Sequence, residues 1–261
     1  MVAQWKKTAK KEIKVKHYLK IPDGTERLEK TTSGTISFAT GDESVKAYAK
    51  PEANGTFSGY VFDTEDSRNE LEKEVKNDSS SDTITLNLYY KPTVLTVSKT
   101  VKGYTLDANK DFTFTIQAQA PSGTDTSAST IQGGQIYIKK AGNIENLAFA
   151  DNKATFTLKH GESVDINCLP MGWTYTIEEA DPGGNYKTTC QKNEEPVVNE
   201  RTLSFQMEQK SERVSFVNKS QVAPPVTGKT VQNNNFILLL VLVFGVGIVS
   251  FGFFKRMKRK H

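Results

Sequence analysis

Three side chains stand on the wrong face of their strands. In the segment Leu95-Thr-Val-Ser-Lys-Thr-Val101, two-residue alternation points Leu95, Val97, Lys99 and Val101 the same way. Tyr175, Ile177 and Glu179 share a face in 174–179, and Val214, Phe216 and Asn218 share one in 213–218. One face of each strand must be the core, so an amine, a carboxyl and a carboxamide all point inward. An unpaired buried ammonium or carboxylate costs several kcal/mol, so each must be neutralised or bonded. Burial favours the neutral amine, which is a nucleophile, and the protonated acid, which polarises a carbonyl. Ordinary alternatives stay open from the residues alone. Lys99 can snorkel at a strand end. A one-residue slip would turn Glu178 inward and Glu179 out. Asn218-Lys-Ser220 also reads as a glycosylation sequon.

Other reactive side chains are few. Cys168 and Cys190 suit an exported protein. Both fall near the ends of strands predicted to be neighbours, which points to one disulfide, with two buried free thiols as the alternative. Cys190-Gln191 has no recognisable catalytic partner. The three histidines, His17, His160 and His261, have no metal-ligand spacing with each other or with cysteine. No metal or other cofactor is implied, and no turnover site is found. At most the chain performs one self-modification. Net charge is +4 over 261 residues, with five basic residues in the last seven. The lysines between Lys6 and Lys16 read as a solvated linker and the outer face of a strand. No basic helix or RNA-binding motif is present, so nucleic acid is not a partner.

The elements that hold these residues are short strands. Turn chemistry punctuates the chain at Pro22-Asp-Gly24, Asn54-Gly55, 77–82, Pro121-Ser-Gly123, Gly133-Gly134 and Pro182-Gly-Gly-Asn185. Between these lie alternating runs rich in Val, Ile, Thr, Phe and Tyr. The expectation is a mainly β protein, with one short helix at 66–75. A first block at 12–91 has strands at 12–19, 45–48, 59–62 and 83–91. A second at 92–220 has strands at 93–101, 111–119, 135–140, 154–159, 163–168, 174–179, 186–190, 202–206 and 213–218. A two-sheet sandwich is the economical arrangement for it.

The second block's segments Leu95-Thr-Val-Ser-Lys-Thr-Val-Lys-Gly103, Lys110-Asp-Phe-Thr-Phe-Thr-Ile116, Leu158-Lys-His-Gly-Glu-Ser-Val-Asp-Ile166, Leu169-Pro-Met-Gly-Trp-Thr-Tyr-Thr-Ile-Glu-Glu179 and Val214-Ser-Phe-Val-Asn-Lys219 resemble the T-antigen or FctA-type pilin domain. That domain is related to the collagen-adhesin B-type, Ig-like sandwich. The resemblance implies an intramolecular isopeptide bond, with Lys99 as nucleophile, Asn218 as electrophile and Glu179 as catalyst. In the first block, Val15-Lys-His-Tyr-Leu19, Pro22-Asp-Gly-Thr25, Gly41-Asp-Glu-Ser-Val45, Gly59-Tyr-Val-Phe-Asp63 and Leu86-Asn-Leu-Tyr-Tyr-Lys91 resemble β-grasp-like repeats of bacterial surface proteins, of the mucin-binding and internalin B-repeat type. That implies a spacer or adhesive module.

The apolar run 236–254 is 19 residues without charge. At about 1.5 Å per residue it reaches roughly 28 Å, enough to cross a bilayer. The basic tail 255–261 places the C-terminus in the cytoplasm and everything before 235 outside. Upstream, in the spacer 221–235, Pro224-Pro225-Val226-Thr227-Gly228 resembles the Leu-Pro-x-Thr-Gly sorting signal of Gram-positive surface proteins, with Pro224 in place of Leu. The resemblance implies that a sortase cysteine attacks the Thr227 carbonyl and passes the chain to a peptidoglycan amine. Pro225 supplies a fixed bend. Residues 1–11 read as a basic linker without an apolar signal-peptide core, so the chain is expected to be the C-terminal piece of a longer exported protein. The reading is a cell-wall-anchored stalk or adhesin module, meeting host or bacterial surface glycans or proteins. The alternative is a sortase-polymerised pilus subunit, for which Lys91 is a weak acceptor because Tyr89-Tyr-Lys-Pro92 departs from the usual Tyr-Pro-Lys order.

Overall fold

The computed structural model describes residues 10–78, 83–103, 108–124, 130–131 and 135–222. The sorting signal, the apolar run and the Gly133-Gly134 turn lie outside the described residues.

The first block holds β1 (Lys10–Lys20), β2 (Glu26–Ser37), β3 (Ser44–Tyr48), β4 (Tyr60–Phe62), β5 (Glu72–Lys76) and β6 (Thr83–Pro92). Its main sheet has the order β2-β1-β6-β4, with β1 and β6 parallel at the centre. Alternation sets the core. Val15, His17 and Leu19 of β1 point inward beside Leu86, Leu88 and Tyr90 of β6. His17 survives burial because its Nδ1 meets the Tyr90 hydroxyl at 2.9 Å. Burial holds its pKa below 6.5, against the pull of Glu52. Lys11, expected in a linker, is instead buried in β1 and ion-paired with Asp78.

The expected helix at 66–75 does not form, and no described residue is helical. Asp66 holds a turn, accepting hydrogen bonds from the Arg68 backbone N and Nε at 3.1 and 3.0 Å. Such local bonds compete with helix formation. The chain then enters β5, which pairs with β3 so that Val45 meets Val75. Besides β5, two further strands escaped the sequence reading. β2 and β10 (Asn143–Asn146) are exposed along nearly their whole length, so they carry no apolar alternation. Backbone ladders to β1 and to β9 (Tyr137–Lys140) define them instead.

The second block adds β7 (Val94–Lys102), β8 (Phe112–Gln119), β11 (Lys153–Leu158), β12 (Ser163–Asn167), β13 (Thr174–Glu179), β14 (Tyr186–Lys192), β15 (Thr202–Gln206) and β16 (Ser211–Ser220). One sheet has the order β10-β9-β12-β7-β16-β14 and the other β11-β8-β13-β15. They face each other across Leu95, Val97, Phe114, Ile116, Tyr175, Ile177, Val214 and Phe216, all buried. Phe114 meets Phe216 edge-on with ring centres 5.1 Å apart.

Only Thr93 separates β6 from β7. It is buried, accepts Cys168 N at 3.0 Å, and donates from Oγ1 to Leu169 O at 2.6 Å and from its N to Gly59 O at 2.9 Å. A Cβ on Gly59 would sit 2.1 Å from Cys168 O, at φ +77, so only glycine fits. The sheets change at this joint, but the core continues through it, and the described residues form one compact unit.

Candidate functional site

Lys99, Glu179 and Asn218 meet in the sandwich core. Lys99 lies on β7 and Asn218 on β16, the first and last strands of the block, which are parallel neighbours at its centre. Phe216 stands opposite Lys99, and Asn218 opposite Val101. The offset is therefore two residues on adjacent strands, a span of roughly 8 Å that a lysine side chain bridges. Glu179 arrives from β13 in the facing sheet. Glu178 is exposed, so the one-residue slip does not occur.

The three residues are 1%, 0% and 0% exposed, in that order of strands β7, β13 and β16. Lys99 is not snorkelling. Its Nζ lies 2.6 Å from Glu179 Oε1. Asn218 Nδ2 donates to the same oxygen at 2.6 Å. One carboxylate oxygen thus holds both the amine and the carboxamide nitrogen. Phe112 covers Nζ at 4.5 Å from its ring centre, with Phe114 behind at 6.0 Å. Burial pushes the Lys99 amine down to about 8 against the pull of Glu179, and the nearby Lys110 charge pushes the same way as burial. Lys110 is held there by Pro182 O at 2.7 Å. Lys99 Nζ, Glu179 Oε2, Asn218 Oδ1 and Thr188 Oγ1 are all buried without a hydrogen-bond partner, so the short Lys99–Glu179 approach is a charge contact outside hydrogen-bond geometry. Orphans of this kind cost about 1–3 kcal/mol each. The site is a dry, incompletely satisfied cluster of nucleophile, carboxyl and electrophile.

The cysteines do not pair. Cys168 follows β12 and Cys190 lies in β14, with β7 and β16 between those strands. Three inter-strand steps place them roughly 14 Å apart, twice the reach of a disulfide. Both thiols are free and buried. Cys168 Sγ instead contacts Tyr60 Oη at 3.3 Å. Burial raises each thiol to about 11.

Some residues of this region were missed in the sequence. Glu212 is fully buried at the far end of β16, bound by Asn193 Nδ2 and by Gln209 N at 3.3 Å. The alternation Glu212-Val214-Phe216-Asn218 would have shown it, had the strand been extended one residue back. Thr188 had no such signal, because inward threonines are common in strands. Lys91 is engaged by Asp63 and Glu65, each at 2.8 Å. Among the described residues no group of three or more His, Cys, Asp or Glu is placed to hold a metal.

Residues 93–220 match the family described as "Domain of unknown function (DUF7601)". The chain is 34% identical over 136 residues to the pilus tip adhesin Cpa of Streptococcus pyogenes, an alignment covering 52% of this chain and 18% of that protein. It is 29% identical over 164 residues to a pilin of Streptococcus pyogenes serotype M1, covering 59% of this chain and 46% of the relative. Its second block is a pilin- and Cpa-adhesin-like β-sandwich domain. The chain thus spans less than half the length of either curated relative. Among solved structures, the major pilin from Streptococcus pyogenes aligns at 18% identity and a TM-score of 0.48, over 82% of this chain and 99% of that one. The pilus-presented adhesin Cpa aligns at 27% identity and a TM-score of 0.40, over 58% of this chain and 37% of that one.

Proposed function

We propose that this chain is a structural subunit of a cell-surface pilus, whose sandwich domain locks itself with an isopeptide bond between Lys99 and Asn218. The observation that carries the bond is Glu179 Oε1, 2.6 Å from both Lys99 Nζ and Asn218 Nδ2 in a fully buried site. Neutral Nζ attacks Asn218 Cγ. The Nζ–Cγ bond forms and the Cγ–Nδ2 bond breaks. Glu179 takes a proton from Nζ and returns it to Nδ2, which leaves as ammonia. Pre-positioning of the three groups supplies much of the driving factor, as in other intramolecular reactions. The product removes a buried charge and an unsatisfied amide.

The pilin relative matches over a larger share of both chains than the tip adhesin does. That supports a pilus subunit over a free-standing stalk, and an extracellular, wall-linked location. In this reading a sortase cleaves after Thr227 and transfers the chain to a lysine of the next subunit or to peptidoglycan. The first block acts as a spacer, of the β-grasp-like type its segments suggested. Lys91 is a poor acceptor, because two carboxylates hold it.

Intact mass of the chain ending at Val222 tests the bond. The parent is one ammonia lighter than calculated, while Glu179→Ala keeps full mass. Full mass in the parent would end the isopeptide reading. High-mass ladders that survive boiling in detergent test the pilus reading, and a single wall-linked band would return it to the stalk.

A further inference from the structure

Asn218 has a second neighbour that the reaction above leaves idle. β14 runs antiparallel beside β16, with Thr188 directly opposite Asn218. Side chains so placed share a face, with Cβ atoms about 4.5–5.5 Å apart. Within one sheet, then, the Asn218 carboxamide is flanked by the Lys99 amine on β7 and the Thr188 hydroxyl on β14, while Glu179 approaches from the other sheet. Thr188 is 6% exposed and its Oγ1 makes no hydrogen bond. Asn218 Oδ1 is also buried and has no donor. Two complementary orphans thus belong to directly opposed residues of one strand pair. A valine would fill the same space at Thr188 without an unsatisfied hydroxyl.

The carbonyl oxygen is where charge develops when an amine adds to Cγ. Glu179 is committed to the nitrogen side of the carboxamide, through Nδ2. From there its Oε1 serves the two nitrogens, and the oxygen side of the carboxamide is left without a donor. A donor held in a dry site at that position contributes far more than it would in water.

Resting on the isopeptide reading, we propose that Thr188 is the oxyanion donor of the reaction: its Oγ1–H donates to Asn218 Oδ1 as Cγ turns tetrahedral and keeps that bond in the product amide. The hydroxyl retains its proton throughout, so the balance of the condensation is unchanged.

The test is the rate of ammonia loss in the chain ending at Val222. Freshly translated protein is quenched in denaturant at intervals and its intact mass measured, for the parent, Thr188→Val and Thr188→Ser. Thr188→Val is expected to be on the order of 100-fold slower, and Thr188→Ser to stay within a few-fold of the parent. Thermal midpoints of Lys99→Met with and without Thr188→Val isolate the fold from the reaction, and the valine is expected to leave the midpoint equal or higher. Thr188→Val reacting at the parent rate would overturn the assignment. So would Thr188→Ser being as slow as valine, or a lower midpoint in the Lys99→Met background, since either makes Thr188 a packing residue. A parent that never loses ammonia fails at the earlier step and removes the isopeptide reading itself.

Discussion

Lys99→Met removes the amine and keeps an apolar stem of similar length. If Lys99 and Asn218 are joined, the bond closes a loop of about 120 residues, and the chain-entropy relation assigns such a loop about 5 kcal/mol. A domain of this size shifts by about 2–4 °C per kcal/mol. The midpoint should therefore fall by roughly 10–20 °C. Magnitude alone does not separate a covalent link from an ion pair, because breaking a buried pair also costs about 3–5 kcal/mol. The double-mutant cycle does separate them. Lys99 and Asn218 share Glu179 Oε1, so without a covalent link the two substitutions couple only by the roughly 0.5–3 kcal/mol of a shared network. With a link, each single change loses it in full and the double change loses it only once. The expected coupling is about 5 kcal/mol, the whole cross-link contribution. Calorimetric melts of the parent, Lys99→Met, Asn218→Ala and the double variant, each with its intact mass, give the number. A coupling of about 3 kcal/mol or less, with full calculated mass in the parent, would refute the reasoning.

Four further outcomes are expected. The condensation rate should rise about tenfold per pH unit up to about 8, the value to which burial pushes the Lys99 amine, and then level off; time-resolved mass measurements at several pH values check it. In Asn218→Ala, which keeps the amine, the lowered folded pKa means that between about 8 and 10.5 the unfolded state holds the proton and the folded state does not. Stability relative to the parent therefore climbs with pH across that window and is absent below it, readable in denaturant melts. Gly59→Ala places a Cβ 2.1 Å from Cys168 O at φ +77 and should cost about 3 kcal/mol or more, with new proteolytic cleavage near Thr93 as the sign that the joint has opened. Wall-released protein should end at Thr227, and Thr227→Ala should leave the chain in the membrane fraction with its tail intact; an intact C-terminus on wall-extracted parent would overturn the sorting assignment.

The site was legible because strand alternation is strict. Lys99, Glu179 and Asn218 each broke the apolar face of an otherwise regular strand, and a period of two has little freedom to hide such a residue. β13 and β15 fall at the expected limits for the same reason. What failed was information that no single strand carries. β2 lies at the edge of its sheet and has no buried face to pattern. The strands that carry the cysteines are close in sequence, whereas sheet order is set by which strands pair across the whole block. β7 and β16, at the two ends of the block, insert themselves between β12 and β14. The boundary expected near residue 92 marks a change of sheet, but Thr93, Gly59 and Cys168 bind across it, and such a joint is written in backbone proximity rather than in residue type.

The same strand order explains why a bond at this position has mechanical value. Tension entering from β6 passes Thr93 into the start of β7, and it leaves from the end of β16. These strands are parallel and paired from Ser211 opposite Val94 to Lys219 opposite Lys102. Pulling the start of one against the end of the other loads that ladder along its length, where its hydrogen bonds share the force. A covalent link from Lys99 to Asn218 takes the force out of the ladder at the sixth of the nine residues of β7 and returns it to the chain near the end of β16. The strands from β8 to β15 then lie in a closed loop that carries no load. A disulfide between Cys168 and Cys190 would protect only the chain between them and would yield to reduction. The inward lysine, which costs stability as a bare charge, becomes intelligible as one end of the load path.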